Sequence, residues 1–271
     1  MLVTESSVPR PHGANEDFAI SGPTTAVVLD GAGMAPGMES GCRHGVAWYV
    51  EQLGARVHAE AARQVSPPLA ECLAAAIEST ARLHRHTCSV DDPLSPSATV
   101  AITRVRDDAF EWLVLGDCTV LIDVGGTVQV HSDDRLAHVA PEARQFLSTR
   151  TPGTPERQQA HEALVHEERT RRNTPGGYWV AAADPTAAHE ALTGTEKASH
   201  TRRAALLTDG AARLVTTFHQ TDWAGCLDLL SDYGPDHVIR RVREAEKSDP
   251  DLSRWPRSKQ HDDATVSYVR P

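Results

Sequence analysis

Residues 24–30, TTAVVLD, form a short apolar run closed by Asp30 and Gly31. Its brevity and its valines favour a buried strand over a helix. A glycine-rich turn is expected next, and then the period of the pattern changes. Val46, Tyr49, Val50 and Leu53 fall on one helical face, and Leu69, Cys72, Leu73, Ala76, Ile77, Thr80 and Leu83 fall on another. Two amphipathic helices in an antiparallel hairpin are predicted, with Pro67 and Pro68 ending the first and opening the second.

Beyond Pro93 and Pro96 the pattern returns to strands: SATVAITRV, FEWLVLGDCTVLIDV, and TVQVHS after Gly125-Gly126. These read as a meander. Residues 141–173 are charged, with a helical pattern broken by proline and glycine, and read by composition as the least packed segment. YWVAAA reads as a strand, ADPTAAHEAL as a turn into a brief helix, RRAALLTDG as a strand, 222–246 as further helix and DDATVSYV as a last strand. Strands and helices grouped this way predict an α+β fold with sheets and helices in separate layers. Two sheets packed face to face with helices outside satisfy that order. No repeat or compositional break divides the chain, so one domain over 1–271 is expected, with residues 1–14 as a flexible arm.

A length of 271 residues with 40% hydrophobic content supplies a core that needs no disulfide. The formal charge of −10 comes without a basic stripe, which argues against nucleic acid as a partner. No apolar run approaches the ~20 residues that span a bilayer, and a cytoplasmic location is expected. Cys42, Cys72, Cys88, Cys118 and Cys226 are widely spaced and form none of the close pairs of zinc or redox motifs. The 14 histidines are scattered, as in His44, His58, His84, His161, His189 and His237, and most read as surface residues.

Carboxylates stand beside strands repeatedly: Asn15-Glu16-Asp17, Asp30-Gly31, Gly116-Asp117, Asp209-Gly210 and Asp262-Asp263. Each alone is ordinary turn chemistry. Together they offer rigid mounts that can converge on one cleft. Gathered carboxylates repel one another unless they bind protons or cations, and hard oxygen ligands select magnesium or manganese over zinc or copper.

NEDFAI, AVVLDGAG, SATVAI, LVLGDCTVLI, AALLTDGAARL and DDATVSYV follow the order and approximate spacing of the motifs of the metal-dependent protein phosphatases of type 2C. The resemblance spans 15–269 and is closest to bacterial single-domain members. It implies a four-layer αββα sandwich of two antiparallel sheets flanked by helices, and hydrolysis of phosphoserine or phosphothreonine by water held between two manganese or magnesium ions. It implies Asp30 as the ligand shared by both ions, Gly31 as a ligand through its carbonyl, and Asp209 and Asp262 as ligands of the first ion. Glu16 resembles the residue that holds the second ion, Asp17 the neighbour that orients bound water, and Asp117 a ligand of a weak third ion. A phosphorylated protein, such as a bacterial kinase or one of its targets, is the implied partner.

The chain departs from that pattern at three places. The usual phosphate-gripping arginine, five residues before the aspartate of the NED-like motif, is replaced by His12, with Arg10 two residues earlier. Arg213 stands where many members have a further aspartate for the third ion. Cys118 replaces a common serine and reads as a packed thiol, not a nucleophile. Besides an active protein phosphatase, two readings stay open: a metal-binding sensor or scaffold of weak turnover, and an esterase for small phosphorylated molecules. Arg144, Arg150, Arg157 and Arg169 to Arg172 are candidates for recognising an acidic phosphoprotein surface.

Overall fold

The computed structural model describes residues 1–32, 40–65 and 67–271. Most of the expected glycine-rich turn after Asp30, residues 33–39, lies outside the described residues. The first strands are β1 (Leu2–Val8), β2 (Asp17–Ser21) and β3 (Thr25–Ala32). Helices α1 (Gly45–Ala61) and α2 (Leu69–His84) follow, then β4 (Ser97–Arg106), β5 (Ala109–Leu115), β6 (Thr119–Val124) and β7 (Thr127–His131). The remainder comprises α3 (Pro141–Ser148), α4 (Pro155–Thr170), β8 (Leu192–Lys197), β9 (Thr201–Leu207), α5 (Asp209–Thr216), α6 (Trp223–Tyr233), α7 (Pro235–Ser248) and β10 (Ala264–Arg270).

Two five-stranded antiparallel sheets result, in the orders β1-β10-β9-β6-β7 and β2-β3-β4-β5-β8. Both faces of each sheet are covered, which is why their strands read as continuous apolar runs. On β3, Val27 and Leu29 pack under α1 and α2, while Ala26 and Val28 face the second sheet. On β9, Ala204 and Leu206 meet Val28 and Val114 between the sheets, and Ala205 and Leu207 pack against α5, α6 and α7. The four layers are therefore helix, sheet, sheet, helix.

Several expectations change. The N-terminal arm is not free: Leu2–Val8 pair with Ala264–Arg270 along their whole length, because an edge strand satisfies backbone groups that a loose arm would leave to water. The meander is broken, since β4 and β5 pair in one sheet and β6 and β7 in the other. The chain crosses at Gly116, whose φ of +80° suits glycine and whose Cβ would lie 2.5 Å from the Thr99 Cγ2 methyl. YWVAAA makes only isolated bridges, Tyr178 with Arg172 and Ala181 with Ala98. Residues Leu192–Lys197, unmarked in the apolar pattern, form edge strand β8 beside β5. Leu83 points outward, and Ala81 and His84 take its place in the buried face of α2.

Residues 141–173 are packed after all. Leu147, Ala160 and Leu164 close on Tyr178 and Val180 in a small core of their own. Most of the arginines there hold the fold together. Arg144 pairs with Glu168 at 2.6 Å, and Arg157 donates to the carbonyls of Leu147, Arg150 and Arg257. Arg172 donates to the Ser95 carbonyl, and the Arg150 guanidinium lies 3.8 Å over the Phe146 ring. A surface for acidic phosphoproteins built from this set is not what the structure shows.

Candidate metal centre

The strand ends deliver the carboxylates to one end of the sandwich. Antiparallel register places Asp17 of β2 beside Asp30 of β3. From the other sheet, the Asp209 amide, at the start of α5, donates to Asp30 Oδ2 at 3.3 Å. Thr208 Oγ1 donates to Asp17 Oδ2 at 2.9 Å and accepts from the Thr265 amide at 3.0 Å. The two sheets are thus laced together at the acidic end.

Glycines allow the close approach. A Cβ on Gly31 would stand 2.3 Å from the Glu16 carbonyl oxygen and 2.4 Å from Val46 Cγ1. A Cβ on Gly210 would stand 1.9 Å from the Asp263 carbonyl oxygen. No other residue fits either position without moving backbone, so the Asp-Gly pairs are required by packing as well as by turn chemistry.

Burial and mutual repulsion hold protons on these acids. Burial pushes Asp17 up to about 8, with Asp263 and Asp209 adding and the hydroxyls of Thr265 and Thr208 opposing. Asp117 rises to about 7 by burial and by the charge of Asp209. Asp30 is driven well above the ordinary carboxylate range, first by desolvation and then by Asp17, Asp209, Asp117 and Asp262. Asp30 and Asp117 keep a partly open face, yet protein surrounds the rest of each carboxylate, so desolvation still leads.

Three cations enter the cluster. Arg10 Nη1 meets Asp263 Oδ2 at 2.5 Å, its amide donates to Asp263 Oδ1 at 2.7 Å, and its Nη2 stands 3.1 Å from Glu16 Oε2. Arg213 Nη2 lies 2.6 Å from Asp262 Oδ2, and Lys259 Nζ lies 2.8 Å from Asp262 Oδ1. Arg213 also reaches Glu246, fully buried, which Arg243 and His261 hold from the other side. His12 stays exposed at a turn with φ of 62°. Of the two candidates for gripping phosphate, the structure brings Arg10 to the cluster and leaves His12 outside. The roles of Asp263 as the anchor of Arg10 and of Lys259 as a partner of Asp262 were not visible in the sequence. Cys118 is fully buried against Thr99 Oγ1 at 3.1 Å, and burial pushes its thiol far up, as a packed side chain requires.

The donor chemistry fits hard divalent cations. Among the described residues, Glu16, Asp17, Asp30, Asp117, Asp209, Asp262 and Asp263 face the cations Arg10, Arg213 and Lys259, so four negative charges are left over, which protons or two divalent ions would neutralise. Asp262 is the exception, because both its oxygens already have cationic partners.

The profile of the protein phosphatase 2C family matches residues 17–241, and the chain belongs to that family. No functionally curated protein matches it in sequence. Among solved structures it resembles the phosphatase Stp1 from Staphylococcus aureus, with a TM-score of 0.60 and 11% identity over 99% of this chain and 94% of that one. The catalytic domain of the serine/threonine phosphatase PstP in complex with two manganese ions gives a TM-score of 0.58 and 15% identity over 99% and 97%. The PPM Ser-Thr phosphatase MsPP from Mycobacterium smegmatis gives 0.54 and 16% over 100% and 98%. At these identities the likeness concerns the fold, and two antiparallel sheets between helices are common to all. Among the described residues, no helix is long and apolar enough to cross a membrane.

Proposed function

We propose that this chain hydrolyses phosphoserine and phosphothreonine monoesters in proteins, with manganese or magnesium bound at the acidic end of its sandwich. The observation that carries this reading is the convergence of Asp17, Asp30, Asp117 and Asp209 from both sheets, with Asp17, Asp30 and Asp117 raised in pKa by burial and by neighbouring carboxylates. Such a cluster is costly to keep without a cation. Membership of the phosphatase 2C family and the two manganese ions in the PstP complex support it.

In this reading Asp30, the Gly31 carbonyl, Asp209, Asp262 and Glu16 would hold the ions, with Asp30 as the common ligand, Asp209 and Asp262 serving the first ion and Glu16 the second. Bound ions would polarise the phosphate oxygens and acidify water, so that no protein nucleophile is needed. Asp17, fixed by Thr208, orients the attacking water, and Asp117 offers a weak further site. Arg10 supplies the phosphate grip. Its side chain is 31% exposed, and its guanidinium could donate two hydrogen bonds to a phosphate.

Manganese-dependent hydrolysis of an aryl phosphate and of a phosphothreonine peptide, lost in chelator and in Asp209→Asn, is the expected result. Turnover that persists in chelator would exclude the mechanism. A weakly active sensor is favoured by the engagement of both Asp262 oxygens by Arg213 and Lys259. Calorimetric manganese binding without turnover of either compound would select it, and turnover of the aryl phosphate alone would select a small-molecule esterase.

A further inference from the structure

A second set of ligands lies where the start of α1 meets the end of α2. Among the described residues, the one group of at least three histidine, cysteine or acidic side chains with all ligand atoms within 4.8 Å of one another is Cys42, His44, His84 and Cys88. His44 precedes the first residue of α1 and His84 is the last of α2, so the antiparallel packing of the two helices brings the pairs together. Cys42 Sγ lies 3.7 Å from His44 Nδ1 and 3.5 Å from His84 Nδ1, and Cys88 Sγ lies 3.3 Å from His44 Nδ1. Zinc bonds of about 2.3 Å to sulfur and 2.0–2.1 Å to nitrogen place sulfur and nitrogen ~3.6 Å apart along the edge of a tetrahedron. The observed separations bracket that edge.

The surroundings hold this geometry. Cys42 is 9% exposed and His84 3%, and the His44 ring stacks on Trp48 at 4.3 Å while His84 meets the same indole edge-on at 5.1 Å. The Ser89 amide donates to the Gly41 carbonyl at 2.9 Å, clamping the two ligand loops, and the Cys88 amide donates to the His84 carbonyl at 2.9 Å. Ser40 Oγ donates to the Cys42 carbonyl at 2.9 Å and accepts from the Cys42 amide at 3.2 Å. Two thiolates and two neutral imidazoles offset the charge of one divalent ion and form a soft donor set, unlike the all-oxygen acidic centre.

We propose that Cys42, His44, His84 and Cys88 bind one structural zinc ion that staples the start of α1 to the end of α2. All four coordination positions come from protein, which marks a structural site and not a catalytic one. The site is independent of the phosphatase reading. Each thiol gives up its proton on binding, and the ion adds its binding free energy to the hairpin.

The test uses the full chain with any affinity tag removed, purified under reducing conditions. About one zinc per chain is expected by elemental analysis, retained through a manganese or magnesium wash. Cobalt added to the zinc-free protein should give the visible bands of a tetrahedral ion together with thiolate-to-cobalt charge transfer. Cys42→Ser and Cys88→Ser should each reduce zinc at least tenfold and weaken the charge-transfer band, whereas Cys226→Ser and Asp209→Asn should keep both. Removing zinc should lower the melting midpoint by about 5 °C or more. Zinc content unchanged in both cysteine variants, or cobalt spectra without charge transfer, would overturn the proposal. So would a wild-type chain that takes up no zinc or cobalt, or whose Cys42 and Cys88 are found joined as a disulfide in freshly reduced and refolded protein. The cobalt spectrum of the wild-type chain decides the matter even if a cysteine variant does not fold. Loss of phosphatase activity in Asp209→Asn with zinc retained separates the two sites.

Discussion

The acidic end of the sandwich and the cysteine-histidine cluster are both ligand sets built at the ends of secondary-structure elements, yet they oppose each other in almost every physical respect. The first gathers charged oxygens on strands of two sheets, buries them, and holds them together against repulsion with Arg10, Arg213, Lys259 and protons. The second gathers neutral sulfur and nitrogen at two helix ends, where hydrogen-bonded contacts already stand near the edge length of a tetrahedral site. A site whose ligands repel must be imposed by the fold. A site whose ligands attract is a fastening.

Asp30→Asn should break this contrast most visibly. Removal of this proposed shared ligand is expected to lower kcat/KM for aryl phosphate by about 10³-fold or more, with zinc content and cobalt bands unchanged. A parallel loss at both sites would mean that the two are one folding unit.

Arg213→Ala is next in size. It leaves Asp262 and the fully buried Glu246 short of a cation, and should cost roughly 3–5 kcal/mol by urea unfolding of the metal-free protein. Added manganese should recover part of that loss, because an ion at Asp262 replaces the missing charge.

A smaller effect is expected at Asp249, which fastens the loop that carries Lys259. Against desolvation, the Arg254 amide, the Arg257 guanidinium and the Trp255 amide hold its carboxyl below the ordinary range. A depressed carboxyl contributes stability above its unfolded pKa of about 3.9 and loses it as pH falls through the folded value. Asp249→Asn should therefore cost about 1–2 kcal/mol at neutral pH, and its difference from wild type should shrink in unfolding curves below about pH 4.

Lys259→Ala is the finest probe. The lysine is half exposed and its ion pair is screened, so stability should change by less than about 1 kcal/mol. Freeing Asp262 Oδ1 should tighten manganese binding about threefold by calorimetry. Unchanged affinity would remove Asp262 from the ligand set.

The two regions also differ in how far they could be read in advance. Asp30-Gly31 and Asp209-Gly210 announce themselves because an apolar run ending in an acid and a glycine is local, and its repetition is visible in one dimension. The same runs announced the layers, since strands covered on both faces are apolar throughout. Edge strands β1 and β8 lack that mark, being covered on one side at most, and the break between β5 and β6 hangs on the single left-handed Gly116. Cys42-x-His44 and His84-x₃-Cys88 are each compact in sequence, but some forty residues and a helical hairpin separate them, and neither half signals the other.

By itself, then, the sequence determined the apolar strands, the amphipathic hairpin and the acids mounted at strand ends, because burial and repeat period act between near neighbours. Tertiary structure alone decided which charges meet. Arg10 on Asp263, Arg213 on Asp262, and His44 beside Cys88 are pairings between distant segments, and distances of a few ångströms between such segments are set by the packing of whole layers.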